Sequence, residues 1–402
     1  MKKIRLGFIG FGCRGRDLIK NNLSSLLGDR VEIIAVCDII EERAKAGAEL
    51  VMEKLGGKTL ALTDAKDVFA LKPDAVIIAT SWMSHIQLSI EAMEAGIPVG
   101  CEVGGANSID DLFRLVHTYE RTGTPYMFLE NCCFGRIEQL ALNMKNLGLL
   151  GEIVHCEGGY CHTLDCDIFD ELDSDLEKRH YRLSEYSARN CDNYPSHDFL
   201  PISKILDMCK GNRPMTLYSM ASKAAAIREH IEETKNERFA DLPINQGDVI
   251  TTVIKFARGE SVVLSLDTTL PRYYSRRFTV RGTKGGIFED TKSVFIKGEH
   301  EKNDFNWREQ WGNIEEYYEK YESPMWQEHR KNPVGSHGGM DYLSLSAFLD
   351  CIEDGTPMPI DVYEAAFTMA ITPLSEMSIA TGLPVAFPDF TGGRWIRRVE
   401  NE

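Results

Sequence analysis

The chain has 402 residues, 43% of them apolar, with 61 acidic against 45 basic side chains and a formal charge of -16. That length exceeds a single hydrophobic core and points to two domains, while the charge opposes phosphate backbones and anionic lipid surfaces, against nucleic acid or a membrane as partner. No apolar run reaches the roughly 18 residues of a spanning helix, and eleven cysteines without a CxxC pair suit reduced thiols and a cytoplasmic protein.

The opening "MKKIRLGFIGFG" has the charge of a signal peptide, but its apolar run is broken by glycines and reads as a first strand. It continues as "IRLGFIGFGCRGRDLI", a short apolar strand that turns through Gly10, Gly12 and Gly15 into a helical pattern. In this GxGxxG, Gly10 serves the tight turn, Gly12 the approach of a pyrophosphate, and Gly15 the packing of helix on strand. Cys13 and Arg14 complete the turn, whose helix N-H groups suit phosphate oxygens. The strand "VEIIAVCD" ends in Asp38, about 20 residues onward, where a carboxylate accepts ribose hydroxyls and repels a 2'-phosphate, favouring NAD over NADP.

Strands "DAVIIATS", "PVGCEV" and "PYMFLEN" alternate with helices through "HIQLSIEAMEAG" and from Ser108. This pattern specifies an α/β Rossmann fold with a doubly wound parallel sheet, ligands sitting at the carboxyl ends of its strands. Thr80, Trp82, His85, Glu102 and Glu130 fall at or just beyond those ends. After Gly148 the sequence turns β-rich, with "ARGE" and "GTKGG" joining antiparallel neighbours. The expected division is a nucleotide-binding domain over 1–148 and an α+β substrate domain with a large, mainly antiparallel sheet over 149–402, the final helices covering sheet or packing back on the first domain. The acidic stretch "DCDIFDELDSDLEKRH" reads as a loop or short helix, its Ser174–Glu177 spacing suiting a capping box. The aromatic segment 306–329 reads as packing against the body or a second subunit.

The stretch "NCDNYPSHDF" places Pro195 at the start of a helix with apolar face Phe199, Ile202, Ile205 and Leu206, so Tyr194 and His197 stand three apart at its entrance. A helix N-terminus disfavours imidazolium, which suits His197 to act as a base. Pro201 suggests a kink. His155, His162 and His180 lie near Cys156, Cys161 and Cys166, but no ligand spacing supports a metal site.

Together these residues resemble the Gfo/Idh/MocA oxidoreductases over nearly the whole chain. That family's fifth strand normally ends in Glu-Lys-Pro, and an aspartate commonly stands four residues before its catalytic histidine. Here Glu102 is followed by Val103 and Gly104, and Asn193 holds the aspartate's place. "ATSWMSH", "LENCCFGR", "GEIVHCEGGYCH", "NYPSH", "GGMD" and "PLSEMSIATG" resemble one branch, the glycoside hydrolase family 109 enzymes, NAD-dependent α-N-acetylgalactosaminidases. The resemblance implies NAD as cofactor, a small-molecule carbohydrate as substrate, and Glu130, Tyr160, Tyr194 and His197 as substrate or acid/base groups. It further implies transient oxidation at a sugar C3, elimination, hydration and re-reduction. A simple sugar or cyclitol dehydrogenase is the alternative; a nucleotide sensor would have no use for the tyrosines and His197. The sugar and the oligomeric state, a homo-oligomer included, stay open.

Overall fold

Six runs that are apolar enough to be buried on both faces form the first sheet. They are β1 (Ile4–Ile9), β2 (Val31–Cys37), β3 (Leu60–Leu62), β4 (Ala75–Ile78), β5 (Val99–Cys101) and β6 (Tyr126–Phe128). They are seen in a computed structural model of the chain, which describes residues 2–164, 168–169, 181–235, 237–300 and 307–399. The order is β3-β2-β1-β4-β5-β6 with every pair parallel, the expected Rossmann arrangement. Helices Glu41–Leu55, Trp82–Glu94 and Ile109–Thr122 supply the crossovers. Ser108 caps the last of these by accepting from Asp111 N at 3.1 Å, and left-handed Gly123 ends it.

The chain divides into two compact units: Met1–Gly135 with Pro324–Ala366, and Arg136–Ser323 with Phe367–Glu402. The first unit thus ends one helix before the boundary expected at 148, because Arg136–Asn146 belongs with the second, and it takes back 324–366 from the C-terminal part.

The second unit holds an eight-stranded sheet made of β7 (Ile153–Cys161), β8 (Pro214–Ala221), β9 (Val249–Phe256), β10 (Ser261–Asp267), β11 (Thr279–Gly282), β12 (Gly285–Phe288), β13 (Ser293–Ile296) and β14 (Val385–Ala386). Its order is β13-β12-β11-β7-β10-β9-β8-β14, with only β7 and β10 parallel. "ARGE" joins β9 to β10 and "GTKGG" joins β11 to β12, both as antiparallel hairpins. Ile250, Ile254 and Phe256 on β9, with Val262, Leu264 and Leu266 on β10, form the buried face at a period of two.

Against that face lies the helix Ser196–Ile205, whose Phe199, Ile202 and Ile205 are buried with Leu206 as expected. Gly158 on β7 lets it approach: a Cβ there would come within 2.9 Å of both Asp198 Cβ and Ile202 Cδ1. Pro195 is the residue before the first turn and not its first member, and Pro201 lies inside the helix without ending it. The aromatic segment packs inward in part. Tyr318 is buried under the Arg136 guanidinium, 3.8 Å from its ring centroid, and Trp326 Nε1 donates to Phe134 O at 2.8 Å. Trp311 stays half exposed. Apart from Ile168 and Phe169, the acidic stretch lies outside the described residues, its Ser174–Glu177 capping box, Cys166 and His180 included. Among the described residues no helix is long and apolar enough to cross a membrane.

Candidate functional site

In the first unit the candidate groups gather at the carboxyl ends of the parallel strands. Gly10 has φ +100°, and a Cβ there would lie 2.5 Å from Ala79 O. A Cβ on Gly15 would lie 2.0 Å from Gly10 O, so the helix Cys13–Asp17 seats only on glycine. Gly12 differs: nothing stands within 4 Å of a Cβ built there. Two glycines are thus demanded by packing and the third faces open space, which is what backbone approach of a pyrophosphate needs. Cys13 opens the helix and is exposed.

Asp38 follows β2 and accepts from Phe11 N at 2.8 Å and from Ile40 N at 2.9 Å. It therefore fixes the glycine turn itself, and each oxygen keeps acceptor capacity for a ribose hydroxyl. After β4, Thr80 Oγ1 meets Ser84 Oγ at 2.8 Å, and Thr80 O lies 2.9 Å from His85 Nε2. Burial pushes the His85 imidazole down to about 4 against its backbone hydrogen bonds, so it stays neutral. The Trp82 indole packs on the backbone of Gly104, where a Cβ would come 2.5 Å from Trp82 Cδ1. Glu102, after β5, accepts from Arg14 Nε at 3.0 Å and Val103 N at 3.2 Å. Burial raises its pKa against the Arg14 charge. Glu130, after β6, is wholly buried, and its Oε1 accepts from Cys132 N at 2.8 Å, capping the turn Asn131–Phe134.

The second unit brings together three of the four candidate acid/base groups. Tyr160 comes from β7, and Tyr194 and His197 from the entrance of the helix Ser196–Ile205. Tyr194 Oη lies 3.3 Å from His197 Nε2. The ring centroid of Tyr160 is 4.3 Å from that of Tyr194 and 5.4 Å from that of His197. Both tyrosines are 7% exposed. Glu130, the fourth, belongs to the first unit.

The structure adds residues to this cluster that the sequence did not place there. The buried Arg182 guanidinium lies 4.8 Å from the Tyr194 ring centroid and 6.0 Å from that of Tyr160, a cation over two phenols. His162 stands edge-on to Tyr160 at 4.8 Å, with Tyr274 beyond it at 5.3 Å. Asp192 supports the loop from below. Its N–H donates to Ser375 Oγ and its carbonyl accepts from Thr372 Oγ1, both at 2.8 Å. Burial pushes its carboxyl up to about 7, against hydrogen bonds from Tyr194 N and Thr252. Only spatial contact marks these four.

Residues 4–129 match the family described as "Oxidoreductase family, NAD-binding Rossmann fold", and residues 134–397 match "Glycosyl hydrolase 109, C-terminal domain". The chain is 36% identical over 424 aligned residues to a glycosyl hydrolase family 109 protein of Stenotrophomonas maltophilia, covering 99% of this chain and 91% of that protein. The chain belongs to glycoside hydrolase family 109. Another family 109 relative in sequence, the alpha-N-acetylgalactosaminidase of Tannerella forsythia, is 34% identical over 98% of this chain and 88% of its own. Among solved structures, scyllo-inositol dehydrogenase of Lactobacillus casei with bound NAD(H) and scyllo-inositol aligns over 96% of this chain and 99% of its own, with a TM-score of 0.65 and 12% identity. The WlbA dehydrogenase of Bordetella pertussis, in complex with NADH and UDP-GlcNAcA, aligns with a TM-score of 0.64 and 16% identity over 96% and 98%. At those identities the structures establish the shared Gfo/Idh/MocA fold, while the sequence relatives carry the family. This family 109 protein is an enzyme, a glycosidase with an NAD-binding domain, and the simple dehydrogenase reading fits it less well.

Proposed function

We propose that the first unit holds NAD, the second holds a sugar, and the enzyme hydrolyses a glycoside without net redox change. The observation that carries this reading is the Tyr160, Tyr194 and His197 cluster, in a family 109 chain that lacks the lysine of ordinary dehydrogenases. When bound, NAD would supply a hydride acceptor and later a hydride donor for a sugar C3. Gly10, Gly12, Gly15 and the N–H groups at Cys13 and Arg14 would hold its phosphates, and Asp38 its ribose. Thr80, Trp82, His85 and Glu102 would line the rest of its site.

His197, in hydrogen-bond reach of Tyr194 Oη, takes the proton of the C3 hydroxyl and returns it at the end. Tyr160 takes the proton from C2 once C3 is a carbonyl, and electrons from that C–H bond expel the aglycone oxygen at C1. Water then adds at C1, the proton it releases neutralises the expelled aglycone, C2 regains a proton from solvent by way of Tyr160, and the C3 carbonyl would take back the hydride together with the proton held at His197. Arg182 sets a fixed positive charge against both phenol rings and holds them together at the site. Glu130 receives substrate hydroxyls or moves a proton. NAD-using glycosidases stand outside the two-carboxylate scheme, which fits a cluster built from phenols and an imidazole.

The substrate class we propose is an α-linked N-acetylgalactosaminide, after the Tannerella forsythia relative. All ten described cysteines are free thiols, which fits a reducing, cytoplasmic setting. Nitrophenyl α- and β-glycosides of N-acetylgalactosamine, galactose and N-acetylglucosamine, with NAD supplied, test the reading. The expected result is nitrophenol release, greatest on the α-N-acetylgalactosaminide, with no accumulating NADH. NADH growing in proportion to turnover on free sugars, with all glycosides intact, would instead establish a dehydrogenase.

A further inference from the structure

Three stretches distant in sequence converge on one carboxylate of the first unit. Asp341 opens the helix Met340–Asp354, and its side chain is wholly buried. It accepts from Arg14 Nη1 at 2.9 Å, Arg14 Nη2 at 2.7 Å and Asn131 Nδ2 at 2.7 Å. His337 Nδ1, which must donate to an ionised carboxylate, lies 2.7 Å away. Ser336 Oγ is 2.6 Å from Asp341 and 2.9 Å from Asp17, sharing one proton between them, and it accepts from Asn22 Nδ2 at 2.8 Å. Asn22 reaches it from Leu18–Leu23, a π-helical turn of the kind often found at working sites.

The backbone before Asp341 is bent to make this possible. His337, Gly338 and Gly339 all have positive φ, at 49°, 66° and 100°. Gly339 has no room for a side chain, since a Cβ would come 2.1 Å from His329 Nε2. A left-handed histidine and a buried ion pair are poor devices for stability alone. Asp17, His337 and Asp341 have the makings of a cation site, but the Arg14 guanidinium, bidentate on Asp341, already takes the cation's place.

Arg14 belongs to the glycine turn, two residues after the open position at Gly12, and its Nε is bonded to Glu102. Its charge is therefore matched inside the protein, leaving phosphate recognition to backbone N–H groups. We infer that Asp341 is a positioning residue for the dinucleotide, fixing Arg14 and Asn131 directly and, through Arg14, the glycine turn and Glu102, so that bound nucleotide is retained throughout the sugar's passage. The inference rests on the NAD reading of the first unit.

The test follows release of NADH from the loaded full-length protein, chased with excess NAD, in wild type, Asp341→Asn, Arg14→Gln and the double variant, alongside the melting temperature of each. Losing a charged hydrogen-bond partner should speed release or weaken binding by roughly 10- to 100-fold in Asp341→Asn. Arg14→Gln should match it, and the double variant should add little, the mark of two groups acting as one. Unchanged or tighter binding in Asp341→Asn, even with a lowered melting temperature, would overturn the inference, as would effects that simply add. Should Asp341→Asn not fold, Ser336→Ala and Asn22→Ala decide: release several-fold faster supports the role, and wild-type release rejects it. No sugar is present, so failure of the glycosidase reading would appear separately, as intact glycosides with NADH still bound.

Discussion

Tyr194 and His197 face each other because they stand three residues apart at a helix entrance, and Tyr160 meets them because β7 passes beneath that helix. Replacing His197 by Ala should slow aglycone release by about 10²- to 10⁴-fold, the usual worth of a positioned proton acceptor. The melting temperature should hardly move, because the ring is only partly buried. Turnover within threefold of wild type would remove His197 from the proton path. Asp192 makes a different kind of prediction. Its folded pKa, raised to about 7, exceeds the ordinary aspartate value near 3.9, so between about pH 4 and 7 the folded state binds more protons than the unfolded one. Its contribution to stability is greatest below pH 4, falls as pH rises, and levels off above 7. Asp192→Asn should flatten that fall, which amounts to a few kcal/mol at most for a shift of this size. Denaturant midpoints from pH 4 to 8 check it; an equal slope in the variant would contradict the assignment.

At the scale of the element, the glycine turn separates folding from binding. Gly12→Ala meets no atom within 4 Å, so the melting temperature should hold while NAD affinity falls. Gly15→Ala would drive a methyl to 2.0 Å from Gly10 O and should cost roughly 1–3 kcal/mol of stability before any ligand is added. Calorimetry of both variants with and without NAD distinguishes them; equal losses of stability would contradict the division. These glycines were legible in the sequence because a turn between one strand and one helix is a local matter. The hairpins at "ARGE" and "GTKGG" were legible for the same reason. The start of the Ser196–Ile205 helix was misplaced by one residue, because a proline suits the position before the first turn as well as its first member.

Across the whole molecule, what stayed hidden was whatever depends on distant segments. Asp341 meets Arg14 across 327 positions of sequence, and no periodicity connects "GGMD" to the nucleotide turn. Asp192 is anchored by Ser375, 183 positions away. Arg182 lies beside the acidic stretch that reads as a solvated loop, yet its guanidinium stands over two buried phenols. The return of residues 324–366 to the first unit was one of two readings the sequence left open, since helical amphipathicity marks which face is covered and not by what. Within the units the local motifs and the long-range contacts are proposed to serve one chemistry, a sugar oxidised only in passing. The most direct measurement is therefore hydrolysis of a nitrophenyl α-N-acetylgalactosaminide in deuterated water, reading deuterium at C2 of the released sugar beside the NADH absorbance. Deuterium at C2 with flat NADH absorbance is the expected result. Full aglycone release with only hydrogen at C2 would show that C2 takes no proton from solvent, and would contradict the oxidation and elimination route as drawn, in which it does.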